Sequence, residues 1–273
     1  MIDLHVHTWR CRHAEGTPDE YVRAAAARGV RTLAFTEHLP LAPEIAMTVP
    51  GAEGYAMPLD EFGRYLDEVA AAAELGRALG VEVLSGIEID AVPAGLGHAR
   101  ELCTGRRFDV VLGSVHFIDG WAFDDPSRRE GYAEWDADAL WERYFSDVVR
   151  AARTADVDVM AHVDLVKKFG VWPEGPTRDL YRSLARDLAD AGVAVEVNTA
   201  GLRKPCAEIY PGQDLLVELS RAGVPATIGS DAHRPAEVGA GSAEAVAALK
   251  GAGYRSVVVF RDRRPEEVGI DEF

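Results

Sequence analysis

Short apolar, β-branched runs alternate along this chain with longer stretches whose apolar residues recur every three or four positions. The short runs read as strands: Ile2–His7, Thr32–His38, Val81–Ile89, Asp109–His116, Asp158–His162, Val193–Asn198 and Pro225–Ser230, with one more at Ser256–Phe260. The longer stretches read as helices: Pro18–Arg28, Asp60–Leu79, Ala137–Arg153, Arg178–Ala191, Gln213–Arg221 and Ala243–Gly251. In the second of these, Tyr65, Val69 and Leu75 mark the apolar face. Gly29, Gly80, Gly192 and Gly223 each stand where a helix would stop and a strand begin. Such βα alternation implies a parallel sheet, and 273 residues is close to the ~250 of an α/β barrel. No linker, repeat or low-complexity segment breaks the pattern, so residues 1–273 are expected to form a single TIM-like α/β barrel domain. Two connections are long, Leu39–Pro58 and Phe117–Asp136. The second carries Trp121, Phe123, Asp124 and Trp135, which suits either a substrate wall or an insertion packed on its own aromatics.

Charge and cysteine content narrow the class. A net charge of -16 argues against a nucleic-acid-binding surface, because phosphate backbones call for clustered Lys and Arg. An anionic small substrate would then need a locally positive site, which metal ions can supply. No apolar run approaches the ~20 residues of a membrane span, and Met1-Ile2-Asp3-Leu4-His5 lacks the basic and apolar regions of a signal peptide. Cys11, Cys103 and Cys206, odd in number and widely spaced, fit a reducing compartment better than a disulfide framework. The expectation is a cytoplasmic protein without membrane or nucleic-acid partners, its oligomeric state left open.

The eight histidines are distributed unevenly. His5 and His7 end the first predicted strand, His38 the second, His116 the fourth and His162 the fifth; Asp231 and His233 follow the seventh, and Glu88 lies near the end of the third. In a barrel, these C-terminal strand ends converge on the mouth where active sites are built. Side chains two apart on a strand share a face, so His5 and His7 can meet one ion. A lone strand-end histidine is more often a polar core or surface residue than a ligand. Six at corresponding ends, joined by Glu88 and Asp231, argue for one convergent metal site. His13 lies in the loop Thr8–Gly16, which starts at the same mouth. Cys11 offers a thiolate but more readily packs the loop; His98 reads as structural or exposed, and Glu37 as at best a support behind a ligand.

These residues closely resemble the polymerase and histidinol phosphatase (PHP) family. The matching elements are His5-Val6-His7-Thr8, Cys11-Arg12-His13, Thr36-Glu37-His38, Gly86-Ile87-Glu88, Gly113-Ser114-Val115-His116, Ala161-His162 and Ser230-Asp231-Ala232-His233. The stretches Gly113–Phe117 with Gly120-Trp121, Asp164–Gly170 and Asn198–Tyr210 look most like the histidinol-phosphate phosphatase branch, although Val163 stands where such relatives commonly have Pro. The resemblance implies a distorted (β/α)7 barrel and a trinuclear centre. His5, His7, Glu88 and Asp231 would hold one ion; Glu88, His116 and His162 a second; His13, His38 and His233 a third.

These donors suit zinc, manganese or iron rather than calcium or magnesium. Three divalent ions less two carboxylates leave roughly four positive charges, a match for a phosphate monoester dianion. The expected reaction is hydrolysis of a small phosphate ester, L-histidinol phosphate above all, by a hydroxide bridging two ions, with His233 and Asp231 as the catalytic side chains. Arg203 and Lys204 after the sixth strand are candidates to clamp phosphate, with Lys168 and its neighbour Lys167 next, and Trp121 as a substrate wall; the alternative for the basic residues is pairing with surface acids. Other phosphate esters (nucleotide or sugar), an amidohydrolase-like barrel and a non-catalytic metal-binding domain stay open as alternatives. The amidohydrolase pattern usually has a modified Lys where this chain has His116. No Walker-type loop or Gly-x-Ser-x-Gly elbow is present.

Overall fold

Seven of the predicted strand runs lie side by side in a computed structural model, which describes residues 1–49 and 51–273. In chain order the strands are β1 (Ile2–Val6), β2 (Thr32–Phe35), β3 (Glu82–Asp90), β4 (Val110–Ser114), β5 (Phe117–Ile118), β6 (Trp121–Ala122), β7 (Val159–Met160), β8 (Ala194–Asn198), β9 (Ala226–Gly229), β10 (Ser256–Arg261) and β11 (Arg264–Gly269). The helices are α1 (Pro18–Arg28), α2 (Pro43–Thr48), α3 (Phe62–Leu79), α4 (Leu96–Cys103), α5 (Ala137–Thr154), α6 (Arg178–Ala191), α7 (Gln213–Arg221) and α8 (Ser242–Ala252). The main sheet runs β1-β2-β3-β4-β7-β8-β9, with every neighbouring pair parallel. This is a distorted TIM-like barrel, nearly closed. At its seam β9 faces β1 without a strand ladder, and the chain just beyond β9 supplies the bridge: the His7 N–H donates to the Ala232 carbonyl at 3.0 Å. The Asp3 carboxylate reinforces it, accepting from the Ser230 N–H (2.8 Å), the Ser230 hydroxyl (2.6 Å) and the Gly239 N–H (2.8 Å).

Local chemistry explains why the helices sit where they do. Thr17 and Glu20 form a capping box with Pro18 at the first helical position of α1, and Gly29, Gly80 and Gly192 end α1, α3 and α6 in the left-handed conformation. Alternation along β3 divides its side chains. Ile87 and Ile89 join Tyr21 and Val22 of α1 and Phe62, Tyr65 and Val69 of α3 in one apolar layer, whereas Glu88 and Asp90 turn to the site. Each such fully buried apolar side chain contributes about 1.5–3 kcal/mol. The buried hydroxyl of Tyr65 donates to the carbonyls of Phe35 (2.9 Å) and Gly86 (2.8 Å), pinning α3 to the two strands that lead into Glu37 and Glu88.

The eighth predicted run, Ser256–Phe260, is a strand outside the seven-stranded barrel sheet; as β10 it pairs antiparallel with β11 in a separate hairpin. Its residues Val257 to Phe260 are buried, so the apolar run is real, but the hairpin packs at the end of the barrel opposite the histidines. There Arg261 pairs with Glu82 at the start of β3 (2.7 Å) and Arg263 with Asp158 just before β7 (2.8 Å). The long connections are also less irregular than expected. Leu39–Pro58, of which Pro50 lies outside the described residues, contains α2, and Phe117–Asp136 contains the β5–β6 hairpin. The two meet in a small apolar cluster of Ala42, Ile45, Val49, Ala52, Phe117 and Ala122 beside the mouth. Among the described residues, no helix is long and apolar enough to cross a membrane.

Candidate metal centre

All nine residues expected to hold metal converge at the C-terminal strand ends. The donor atoms of eight of them fall into groups within 4.8 Å of one another, among them His5–His7–Glu88, Glu88–His116–His162 and His13–His38–His233. Glu88 lies at the centre. One of its oxygens faces His38 Nδ1 (3.0 Å), His5 Nε2 (3.4 Å) and His7 Nε2 (3.5 Å); the other faces His162 Nε2 (3.3 Å) and His116 Nε2 (3.7 Å) and accepts the Ser114 hydroxyl. Asp231 approaches from beyond β9, 3.3 Å from His7 Nε2. Asp231 and His162 both have left-handed backbone, φ 52 and φ 28, a conformation side-chain-bearing residues adopt at a cost and that clusters at functional sites.

Buried carboxylates behind the cluster set the histidine tautomers. Glu196 meets His5 Nδ1 at 2.8 Å, Glu37 meets His7 Nδ1 at 3.2 Å and Asp90 meets His116 Nδ1 at 2.6 Å. Each of those nitrogens donates to its carboxylate, which turns Nε2 inward as the position that takes a metal ion or, without one, a proton. His13 and His233 are fixed in the same sense by backbone carbonyls, His13 by Gly54 (2.8 Å) and His233 by Asp231 (3.0 Å). The consequence is plain at His5 and His7, whose Nε2 atoms face each other at 3.0 Å. Two bare lone pairs there would repel, so the pair needs a proton shared between the two nitrogens or a metal ion bound by both. Glu88 Oε2 and His38 Nδ1 are likewise buried without a hydrogen bond.

Electrostatics make the same demand. Among the described residues, the partners of Glu37, Glu88, Asp90, Glu196 and Asp231 are histidine rings, hydroxyls and amides, not Arg or Lys. Burial opposes ionisation of Glu88 and Asp231, yet the surrounding imidazoles, His38 and His5 first, hold both carboxyls well below the usual range. Burial also opposes charge on His7 and His116, but Asp231 and Glu37 raise His7 to about 9 and Asp90 raises His116 to about 10. In His38 and His233 burial wins, and both fall well below the ordinary value. A site that pulls protons onto its own histidines is one that attracts cations. The donor set therefore fits divalent metal ions, and the site binds metal.

Above the cluster opens a cavity of about 710 Å³, lined by Tyr55, Asp124, Lys168, Arg203, Lys204 and Tyr210 among others. Lys168 pairs with Asp124 at 3.2 Å, and Arg203 donates to the Ser230 carbonyl at 2.8 Å. Lys167 is elsewhere, fully buried against Asp164 (2.8 Å) and Glu208 (2.6 Å). Trp121 also lies off the cavity; it packs edge-on against Tyr132 and Phe123 and donates to the Arg128 carbonyl at 3.0 Å. Its loop still reaches the cavity through Asp124, Asp125 and Arg129, so that segment is both packed on its aromatics and part of the wall. Cys11 is buried with its thiol on the Thr8 carbonyl at 3.3 Å, and burial pushes its pKa up, as a loop-packing thiol requires. Reading the sequence missed Glu196 and Asp90 altogether.

A parallel barrel whose strand ends carry such a cluster defines a metal-dependent hydrolase. The chain belongs to the PHP domain family, whose model matches residues 3–200. It is 37% identical over 97% of its length to a "probable histidinol-phosphatase" of Deinococcus radiodurans, covering 98% of that protein. It is 27% identical over 87% of its length to the histidinol-phosphatase of Bacillus subtilis, covering 95% of it. Its fold matches that of the Lactococcus lactis histidinol phosphate phosphatase, solved with zinc, L-histidinol and phosphate, at a TM-score of 0.79 and 22% identity, over 97% of this chain and 98% of that one.

Proposed function

We propose that residues 1–273 act as one metal-dependent phosphomonoesterase that hydrolyses L-histidinol phosphate to L-histidinol and phosphate. The observation that carries this reading is a buried histidine–carboxylate cluster opening onto a cavity that offers cations and acids together. Lys168, Arg203 and Lys204 supply positive potential for a phosphate dianion, while Asp124 and Glu237 match a substrate that also bears an amine. The names and bound molecules of the similar proteins agree with it.

The proposed centre holds three divalent ions (zinc, manganese or iron), divided among His5, His7, Glu88 and Asp231; Glu88, His116 and His162; and His13, His38 and His233. Once bound, such ions supply Lewis acidity toward the phosphoryl oxygens and the attacking water. The chain does the rest. Glu196, Glu37 and Asp90 hold three rings in the orientation that aims Nε2 inward. Arg203 and Lys204 orient the phosphate. We assign the proton of the leaving alcohol to Asp231, its side chain 15% exposed; His233, 28% exposed, assists as a ligand whose Nδ1–H is held by the Asp231 carbonyl. The test is kcat/KM across a panel of phosphate monoesters with manganese- or zinc-loaded protein. L-Histidinol phosphate should rank first. A nucleotide or sugar phosphate ranking higher would overturn the substrate, and no turnover of any monoester would overturn the activity.

A further inference from the structure

The barrel has a second concavity that shares no residue with the metal-centre cavity. It lies outside the sheet, between α4 and the end of α5, and encloses about 330 Å³, the size of a small-ligand site. Its origin is the length of α4: eight residues, against eighteen in α3 and in α5, leave the outer flank of β3 and β4 incompletely covered. The floor is apolar. Ile89, Ala99 and Phe108 belong to the buried layer beneath α1 and α3, and Leu96 borders them.

The rim has the opposite sign to the molecule. Four guanidinium groups, Arg100, Arg106, Arg107 and Arg263, face only two carboxylates, Asp156 and Asp262, in a chain with 29 basic and 45 acidic residues. Two of the four are neutralised: Arg107 pairs with Asp262 at 2.7 Å, and Arg263 with Asp158 at 2.8 Å and Asp156 at 3.1 Å. The other two have no carboxylate among the described residues. Arg106 donates to the Leu102 carbonyl (2.5 Å) and lies over the Phe62 ring (4.9 Å), and Arg100 is exposed on α4 with no ion pair. With acids in such excess, two arginines without a carboxylate partner beside an apolar floor form a recognition surface rather than a solvated face.

We propose that this crevice binds a small organic anion with a flat apolar body. The ring system lies on Ile89, Ala99 and Phe108, and its carboxylate, sulfonate or phosphate is held by Arg100 and Arg106. The probe is 8-anilinonaphthalene-1-sulfonate, which has both parts. It is titrated by fluorescence against metal-loaded protein, with Arg203→Ala protein in parallel to identify any binding in the metal-centre cavity. Saturable binding is expected, weakened about tenfold by Arg100→Ala and further by Arg100→Glu. Because Arg100 is exposed and has no ion pair, both variants should fold normally, which an unchanged Tm verifies. Asp262→Asn frees Arg107 and should tighten binding. Binding that does not saturate, that ignores both Arg100 variants, or that fails to tighten with Asp262→Asn overturns the proposal.

Discussion

Glu196, Glu37 and Asp90 each touch a ring nitrogen that faces away from the cavity, at 2.8, 3.2 and 2.6 Å. Removing one of them deletes no ligand, so its effect isolates orientation and basicity from coordination itself. Glu196 is the most connected of the three: besides His5 it accepts from the His162 N–H at 3.1 Å and the Asn198 amide at 2.9 Å. Glu196→Gln keeps the shape but ends the charge-assisted grip on His5 and offers a donor where an acceptor is needed. Zinc affinity, read by competition with a chromophoric chelator, should fall about 10–100-fold, the usual consequence of losing a carboxylate behind a metal-binding histidine. An unchanged affinity would mean that packing alone orients the ring. Nothing in the residue string marked Glu196 as the partner of His5, because the contact spans 191 positions. A signal was nonetheless present: a lone acid between Val195 and Val197 in a buried strand must have a partner.

At the level of elements, the six predicted helices were legible nearly to the residue, whereas α2, inside the connection Leu39–Pro58, was not. Arg178–Ala191 and Gln213–Arg221 coincide with α6 and α7, because periodicity and glycine stops are local properties. Strand ends were not, since a ladder stops where its neighbour stops. The run Asp158–His162 keeps only Val159 and Met160 in the sheet, and the chain then turns through the left-handed His162 to deliver its ring. The eighth apolar run was legible as a strand but its partner was not: burial of Val257–Phe260 looks the same in a barrel and in a hairpin, and β11, reading Arg264-Pro265-Glu266-Glu267, has none of the alternation that would reveal its pairing. Crowding between β8, β9 and β1 shows how closely elements constrain the site. A Cβ on Gly229 would lie 2.6 Å from the His5 Cβ and collide with the Glu196 carboxylate. Gly229→Ala should therefore cost about 1–3 kcal/mol of stability and lower metal occupancy together with it. Full zinc stoichiometry in a stably folded Gly229→Ala protein would show that the three strands can part without disturbing the cluster.

For the whole molecule, the cluster lies across the unsealed seam. His5 lies in β1 and His7 just beyond it, while Asp231 and His233 follow β9, and polar contacts rather than a ladder join the two edges. Holding the acids together there requires positive charge from protons or from metal. Without metal, protons on His7 and His116 serve, with pKa values raised from 6.5 to about 9 and about 10. A raised folded-state pKa contributes stability that is complete below 6.5 and disappears as pH climbs through 9 to 10. A divalent ion displaces those protons and carries its charge at every pH in that window, besides stabilising the native state in proportion to its binding. Metal-stripped protein should accordingly have a lower Tm than loaded protein, and the gap should widen steadily from pH 6.5 to 10, as scanning calorimetry in paired samples would read. Calorimetric titration with zinc at pH 7 in buffers of different ionisation enthalpy should also register proton release. Parallel Tm curves with no proton release would mean that the histidines are already neutral, and that the charge of the buried acids is met in another way.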